Sequence, residues 1–383
     1  MEFQELFKKM VEIEASDLYL TVARPPMYRV EGKIQAIGDR NFTPDDLRAL
    51  ADAMMTEKQR REFAQTFEMN LAQSLPGLAR FRVNILTQRG SVGLVIRRIK
   101  ADIMSIDDMG LPSILKNITM TKRGLVLVVG ATGSGKSTTL AAMIDHRNTH
   151  EAGHIITIED PIEFVHRHKE SIVTQREVGS DTHSFQAALK NTLRQAPDVI
   201  LIGEIRDTET MEAAITFAET GHLCLGTLHS NNANQAIERI MNFFQLERHE
   251  QMYLQLSLNL RSIVSQRLIP SVEGKRVAAL EILMDTPRIK DLIKRGEVDS
   301  LKEAMEQGVQ EGCQTFDQAL FALYRDGKIT LDQALVNADS ANNLRLKIKL
   351  AGLKVDVEPT AVEGEPRKSE PLQAAGGFRL RRT

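Results

Sequence analysis

The 383-residue sequence contains no tryptophan, four tyrosines and two cysteines. Cys224 and Cys313 are too few and too far apart for a disulfide framework or a cysteine-rich metal site, and a reducing compartment is the simpler interpretation. Lysine plus arginine (49) nearly equals aspartate plus glutamate (51). The chain therefore lacks the basic excess typical of proteins that bind duplex nucleic acid, and we expect no nucleic-acid partner.

Long apolar segments are missing as well. The first residues, MEFQELFKKM, carry acids among their apolar residues and do not resemble a signal peptide. Apolar runs such as LVLVV at 125–129 are far shorter than the roughly 20 residues that span a bilayer. These absences predict a cytoplasmic protein, which would reach a membrane only through partners.

The 42% hydrophobic content is enough for the cores of two domains. Residues 1–100 are typical of a small α+β domain. DLYLTV predicts a strand, PMYRVEGKIQAIG a hairpin that turns at Glu31–Gly32, and Thr43–Pro44 the start of a helix. A second helix fits TEKQRREFAQ. ARFRVNILTQRGSVGLVIRRI then predicts two strands, the first with arginines on one face and apolar residues on the other.

After a linker at 101–118, strands and helices alternate over residues 119–350. This pattern predicts an α/β domain with a mostly parallel sheet and helices on both faces. EQMYLQLSLNLRSIVSQRLI, TPRIKDLIKRG and TFDQALFALYRDGKIT are predicted as later helices. Residues 351–383 are rich in proline, poor in large apolar residues and basic at the end, which predicts a disordered tail. The tail is either inert or a partner-binding segment.

The segment GATGSGKST fits the phosphate-loop pattern G-x-x-x-x-G-K-[S/T], and it lies between a predicted strand and a predicted helix. Its backbone N–H groups would surround the phosphates of ATP, with Lys136 on the β and γ phosphates and Ser137 on Mg²⁺. The alternative is a glycine turn with a surface lysine. The predicted ATP-binding residues here are Gly130, Ala131, Thr132, Gly133, Ser134, Gly135, Lys136, Ser137 and Thr138.

Acidic residues follow two of the next predicted strands. ITIEDPIEF places Glu159, Asp160 and Glu163 at the strand edge that also carries the phosphate loop, where they could hold Mg²⁺ or orient water. The alternative is an acidic, solvated turn. DVILIGEIRD places Glu204 at the same edge, as a base that activates water or as a salt-bridge partner of Arg206.

Two histidines flank the next predicted strand, GHLCLGTLHS. His229 follows the strand and would sense the γ-phosphate by a hydrogen bond, whereas His222 precedes it and is a weaker candidate. Either histidine could instead be an ordinary satisfied polar group. Cys224 lies within the strand and is predicted to be buried.

In chain order, GATGSGKST, ITIEDPIEF, DVILIGEIRD and GHLCLGTLHSN resemble the Walker A, Asp box, atypical Walker B and His box of secretion-type motor ATPases. Within that group the chain resembles the type IV pilus retraction ATPases, PilT and PilU, over about residues 1–345. ASDLYLTVARPPMYRVEGKI, ARFRVNI, NLRSIVSQRLIP and GCQTFDQAL also match.

The resemblance implies a PAS-like N-terminal domain, a RecA-like ATPase domain and a homo-hexamer with ATP between subunits. It implies that Glu204 is the general base and that Glu163 belongs to the Mg²⁺ and water network. It also matches three arginines of the N-terminal domain to phosphate contacts: Arg80, Arg82 and Arg97. For these three, a solvated strand face is the alternative.

Three departures bring the chain nearer to PilU: Tyr19 in place of a common histidine, TPRIKDLIKRG in place of a motif like AIRNLIRE, and a longer tail. They imply a retraction motor that works with a PilT-type ATPase. The resemblance as a whole implies an inner-membrane platform protein as partner and a location at the cytoplasmic face of the inner membrane. An accessory ring subunit that mainly stimulates a related ATPase, and a secretion or conjugation motor, are the alternatives.

Overall fold

The computed structural model describes residues 2–75, 79–99 and 102–353. All but the first three residues of the tail predicted at 351–383 lie outside this part of the chain. Residue 100, the last of the predicted N-terminal domain, and residue 101, the first of the predicted linker, also lie outside it.

The first part of the chain forms a six-stranded antiparallel sheet in the order β3-β2-β1-β6-β5-β4. Three helices accompany it. The elements are α1 (Phe3–Glu12), β1 (Asp17–Leu20), β2 (Met27–Val30), β3 (Lys33–Ala36), α2 (Pro44–Met54), α3 (Glu57–Thr66), β4 (Glu68–Leu75), β5 (Ala79–Gln88) and β6 (Ser91–Ile99).

One face of this sheet is covered by apolar side chains. Phe81, Val83 and Ile85 of β5 are fully buried, as their alternation with polar residues predicts. Helix α1 packs on them, and the ring of Phe7 stacks on Phe81 with 4.3 Å between centroids. Neither α1 nor β4 was predicted from the sequence.

Local signals in the first part are confirmed. Glu31 and Gly32 have φ of 47° and 81°, the left-handed pair that closes a two-residue hairpin. Thr43 caps α2 in a capping box with Asp46, and Pro44 occupies the first helical position.

The second part forms a seven-stranded sheet in the order β13-β12-β7-β11-β10-β8-β9, parallel except for the β12–β13 pair. The predicted fold class, an α+β N-terminal part followed by an α/β part with a mostly parallel sheet, is confirmed. The strands are β7 (Gly124–Val129), β8 (His154–Glu159), β9 (Ile172–Glu177), β10 (Val199–Ile202), β11 (Leu223–Leu228), β12 (Leu260–Pro270) and β13 (Arg276–Met284).

Helices cover both faces of the second sheet, and alternate residues of each buried strand enter two separate apolar clusters. Among the described residues no helix has the length and apolar character needed to cross a bilayer. The helices are α4 (Ile114–Thr119), α5 (Lys136–His150), α6 (Phe185–Thr192), α7 (Thr208–Glu219), α8 (Ala233–Met241), α9 (His249–Asn259), α10 (Pro287–Arg295), α11 (Leu301–Gln307), α12 (Phe316–Arg325), α13 (Leu331–Asn337) and α14 (Ala341–Leu350).

The single long helix predicted at 250–269 is wrong. Helix α9 ends at Asn259, and Leu260–Pro270 is strand β12, hydrogen-bonded to β7 on one side and β13 on the other. Because β12 is buried on both faces, its polar residues Ser262, Ser265 and Gln266 are buried too, and no two-residue alternation distinguishes it from a helix. Strand β9 was also missed. The predicted helices matching α10 and α12 are confirmed.

Candidate functional site

A cavity of about 540 Å³ opens at the carboxyl ends of strands β7, β8, β10 and β11. This edge is where open parallel sheets bind ligands. Of the loop residues predicted for ATP, only Gly130, Ala131 and Ser134 face neighbouring depressions instead. The predicted site residues that line the cavity are Thr132, Gly133, Gly135, Lys136, Ser137, Thr138, Glu159, Asp160, Glu163, Glu204 and His229.

The loop between β7 and α5 is closed against strand β12. Gly130 and Gly135 have φ of 156° and 90°. A Cβ on Gly130 would lie 2.4 Å from Ser134 Oγ and 2.6 Å from the Gln266 carbonyl, and one on Gly135 would lie 2.8 Å from Gln266 Nε2. Both positions therefore require glycine, because any side chain would push the loop away from β12.

Lys136, the first residue of α5, is folded back over this loop. Its Nζ donates to the carbonyls of Gly130 (2.9 Å) and Ala131 (3.0 Å). Burial lowers the pKa of the ammonium, and the carboxylates of Glu204 and Glu163 act in the opposite direction. The cation is thus held against the carbonyls of the loop, and its binding to phosphate stays a prediction.

Gln266 was not predicted, because it lies in the segment taken for a helix. It is 3% exposed, and its Oε1 accepts from Thr139 Oγ1 at 2.7 Å. This bond fixes the first turn of α5 to β12. A buried glutamine in an apolar run was the only sequence signal for it.

The acidic loop after β8, residues 159–163, is anchored by the half-buried carboxylate of Glu159. Glu159 accepts from Thr157 Oγ1 at 2.6 Å, from Gln175 Nε2 at 3.2 Å and from the backbone N–H of Glu163. Burial raises its pKa, and these hydrogen bonds offset part of the effect. With these donors already bound, Glu159 fits a residue that orders the loop better than a direct metal ligand.

The other two acids of the loop have different surroundings. Asp160 forms an ion pair with Arg206 at 3.1 Å. Glu163 is exposed at the cavity, so its carboxylate is open to a ligand. The two remain predictions as metal-site residues.

Gly203 occupies the position where many ATP hydrolases have a metal-binding aspartate. A Cβ here would lie 3.1 Å from both the Glu159 Cα and the Ile158 carbonyl oxygen, whereas the Gly203 N–H donates to that same carbonyl at 2.7 Å. Strand β8 leaves little room for a side chain. The glycine is therefore explained by close packing of two strand ends.

Glu204 projects into the cavity between two cationic or polar groups. Its carboxylate is 3.4 Å from His229 Nε2 and 3.8 Å from Arg206 Nη2. Burial lowers the pKa of His229, nearby Lys136 lowers it further, and Glu204 opposes both. The structure thus brings Glu204, His229 and the phosphate loop together, and it also forms the predicted alternative, the contact with Arg206.

Thr227, near the end of β11, was also missed by sequence reasoning. Its Oγ1 donates to the Gly203 carbonyl, and its own carbonyl accepts from the Ile205 N–H at 2.8 Å. It thereby holds both peptides that flank Glu204, two residues before His229. A buried threonine at a strand end carries no distinctive sequence signal.

His222 lies at the opposite edge, where β11 begins. Its Nδ1 is 3.2 Å from the Phe217 carbonyl, so it is a satisfied polar group away from the cavity. The two thiols, Cys224 and Cys313, are both buried, and burial raises the pKa of each.

None of the three predicted arginines is among the residues that line the cavity. Arg80 Nη2 is 3.7 Å from Glu177 Oε2, and Arg97 Nε donates to Asp17 Oδ1 at 2.8 Å. Arg82 lies directly opposite Arg97 in the β5–β6 register. Arg97 thus has the contact of a polar sheet face, whereas Arg80 contacts the end of β9 in the second sheet. Phosphate binding by these three residues stays a prediction.

The oxygen donors at the cavity fit Mg²⁺ bound mainly through a nucleotide. The Ser137 hydroxyl and the carboxylates of Asp160, Glu163 and Glu204 are hard ligands at one opening. In the described ranges, no group of three or more His, Cys, Asp or Glu side chains could hold a metal by itself. Mg²⁺ in ATPases typically keeps waters and phosphate oxygens as its main ligands.

Comparison with known proteins gives consistent matches. The model of the family described as type II/IV secretion system protein matches residues 3–343. The type IV pilus ATPase PilU of Pseudomonas aeruginosa is 55% identical over 91% of this chain and 92% of its own. The retraction ATPase PilT of the same organism is 42% identical over 90% and 100%. The crystal structure of the pilus retraction motor PilT with bound ADP superposes with a TM-score of 0.83, at 43% identity, over 89% of this chain and 98% of that one.

Proposed function

Because this chain belongs to the type II/IV secretion system protein family, and within it to the PilT and PilU retraction ATPases, we propose that it is a hexameric ATPase that powers type IV pilus retraction and twitching motility. The observation that carries the proposal is the convergence of the phosphate loop, the acidic loop and Glu204 on one cavity. The proposal includes the predicted domain limits, with the N-terminal domain at 1–100, the linker at 101–118, the ATPase domain at 119–350 and the tail at 351–383.

In this proposal ATP is bound by the backbone N–H groups of residues 130–138, and Lys136 moves from the loop carbonyls to the phosphates. Mg²⁺ neutralises charge on the phosphates, held with the help of the Ser137 hydroxyl and the Glu163 carboxylate. Glu204 accepts a proton from the attacking water, and His229 hydrogen-bonds near the γ-phosphate. Thr227 and Gly203 keep Glu204 in place.

Retraction would follow from closing and opening of the gap between domains around bound nucleotide. We place the hexamer at the cytoplasmic face of the inner membrane, where it would act with an inner-membrane platform protein and a PilT-type ATPase. The relatives named PilT and PilU, both type IV pilus ATPases, support the role in retraction.

Replacing Glu204 with Gln tests the base. The variant should bind ATP as the original protein does but lose at least about 100-fold in turnover, since an amide cannot accept the proton. Glu209→Gln, an exposed residue of α7 outside the cavity, is the matched control and should keep normal turnover. Normal turnover in the Glu204 variant would show that another group is the base.

A second function, an accessory ring subunit that stimulates a related ATPase, is favoured by the higher identity to PilU than to PilT. Tyr19, one of the departures, lies on the N-terminal sheet, and its hydroxyl oxygen accepts from Arg29 Nη2 at 2.7 Å and from Arg29 Nε at 3.1 Å. ATPase rate and pilus retraction, each measured with and without a PilT-type partner, separate the two functions. Brisk hydrolysis and retraction alone would eliminate the accessory role.

A further inference from the structure

Glu177, the last residue of β9, is a buried carboxylate with no part in the chemistry described above. It is 6% exposed and lies directly opposite Glu159 in the β8–β9 register. A buried charge is costly unless it is paired and hydrogen-bonded. Its partners therefore indicate what it does.

The carboxylate of Glu177 has partners from three segments. Oε1 accepts from Ser180 Oγ at 3.3 Å, and Oε2 accepts from the Ile162 N–H at 3.2 Å. The same Oε2 is 3.7 Å from Nη2 of Arg80, which belongs to strand β5 of the N-terminal sheet. One oxygen atom thus faces both the acidic loop and the other sheet.

The acidic loop depends on two carboxylates. The Ile162 N–H is held by Glu177 and the next N–H, that of Glu163, is held by Glu159. Two successive peptides are thereby fixed by the last residues of two adjacent strands, and the Glu163 side chain is left at the cavity. Any change in the charge facing Glu177 acts on the Pro161–Ile162 peptide, which immediately precedes the Ile162–Glu163 peptide.

Arg80 is placed to make such a change. Its side chain is 25% exposed, and its Nε is buried without a hydrogen-bond partner among the described residues. An incompletely satisfied guanidinium is held less firmly than one bound through all its donors. Arg80 can therefore follow the N-terminal sheet when that sheet moves.

We propose that Glu177 is a positioning residue through which the N-terminal sheet, by way of Arg80, controls the placement of Glu163 and hence the affinity of the nucleotide site for Mg²⁺. The proposal deepens the ATPase function and rests on it. An ion pair that only stabilises the fold would leave Mg²⁺ dependence unchanged.

Two variants at position 177 separate the roles of charge and acceptor. Glu177→Ala removes both and should raise the Mg²⁺ concentration for half-maximal ATPase by about tenfold. Glu177→Gln keeps an oxygen for the Ile162 N–H and should raise it by only about threefold. Binding of a fluorescent ATP analogue in EDTA should stay within about twofold for both, because the phosphate loop is untouched. Unchanged Mg²⁺ dependence in the alanine variant would overturn the proposal.

A double-mutant cycle tests the link to the N-terminal sheet. Arg80→Met should shift Mg²⁺ half-saturation about threefold in the original chain but much less in the Glu177→Gln background, since the charge pair is already gone. An equal shift in both backgrounds would show that Arg80 does not act through Glu177. Glu303→Gln, which breaks an exposed pair at the same 3.7 Å separation with Arg288, is the control and should shift nothing.

The same variants remain informative if the ATPase proposal itself fails. An original protein that hydrolyses no ATP would contradict the proposed function. Mg²⁺-dependent binding of a non-hydrolysable ATP analogue would then replace turnover as the readout. The expected order of half-saturation stays Glu177→Ala above Glu177→Gln above the original chain, and any other order counts against Glu177 as a positioning residue.

Discussion

The two sheets of this molecule present their polar residues in opposite ways. The parallel sheet directs the ends of β7, β8, β10 and β11 to one edge, so short sequence motifs that are far apart in the chain meet at one cavity. The antiparallel N-terminal sheet spreads its arginines over a face, where Arg97 and Arg80 pair with nearby carboxylates. The parallel sheet therefore gathers its polar residues at one site, whereas the antiparallel sheet leaves its arginines distributed over its face.

The comparison predicts that a substitution in the core of the N-terminal sheet lowers stability without lowering nucleotide affinity. Phe81→Ala removes a fully buried ring that stacks on Phe7 and should lower the free energy of unfolding of this part by about 3–5 kcal/mol. Denaturation followed by circular dichroism measures it. ADP affinity should stay within about threefold, because no residue of the cavity is touched. A joint loss of both would show that the sheets are one energetic unit.

One glycine from each part of the chain allows a second comparison of the two sheets. Gly130→Ala forces a Cβ to within 2.4 Å of Ser134 Oγ and should weaken ATP binding by about 100-fold or more. Gly32→Ala, in the hairpin turn, also has positive φ but meets nothing within 4 Å. It should cost only about 1 kcal/mol of stability and leave ATP binding unchanged. Calorimetric titration with ATP checks both variants.

The second sheet should show an effect of pH on stability between pH 7 and pH 5. Burial lowers the pKa of His166 to about 4, with Asp145 opposing and Lys169 assisting, so the folded protein keeps this ring neutral. The neutral ring of His166 makes its full contribution to folding stability above the ordinary histidine pKa near 6.5. This contribution is lost as the pH falls towards 4. Between pH 7 and pH 5 the loss should be about 2 kcal/mol. The substitution His166→Asn should reduce the pH dependence of the free energy of unfolding between pH 7 and pH 5. An unchanged slope would mean that the ring is not the titrating group.

The smallest expected effect concerns Thr227. Thr227→Val keeps the shape but removes the hydroxyl that donates to Gly203, which should lower kcat about tenfold with little change in KM. Thr227→Ser restores a hydroxyl and should recover most of the rate. Steady-state kinetics measure kcat and KM for both variants. Equal kcat values would show that the Thr227 hydroxyl does not position Glu204.

The sequence predicted what local chemistry determines. The turn at Glu31–Gly32 and the cap at Thr43 require particular residue types, and both are confirmed. The phosphate-loop glycines belong to the same class. Each motif also includes a predicted strand. The alternation of strands and helices then predicted that the carboxyl ends of these strands share one edge of a parallel sheet.

What the sequence missed depends on residues distant in the chain. Strand β12 is a strand because β7 and β13 pair with it, and that pairing leaves no local period. Gln266 and Thr227 matter through the loops they touch. Glu177 looks like an ordinary acid until Ile162 and Arg80 are brought to it by the fold.

The burial of Cys224 and Cys313, in a chain with no tryptophan, has a practical consequence. A cysteine placed on each sheet would offer dye attachment sites with little background labelling from the two native thiols. Single-molecule distance measurements could then follow the sheets through a cycle of nucleotide binding and release. A tryptophan introduced beside the cavity would report ligand binding without competing indole fluorescence.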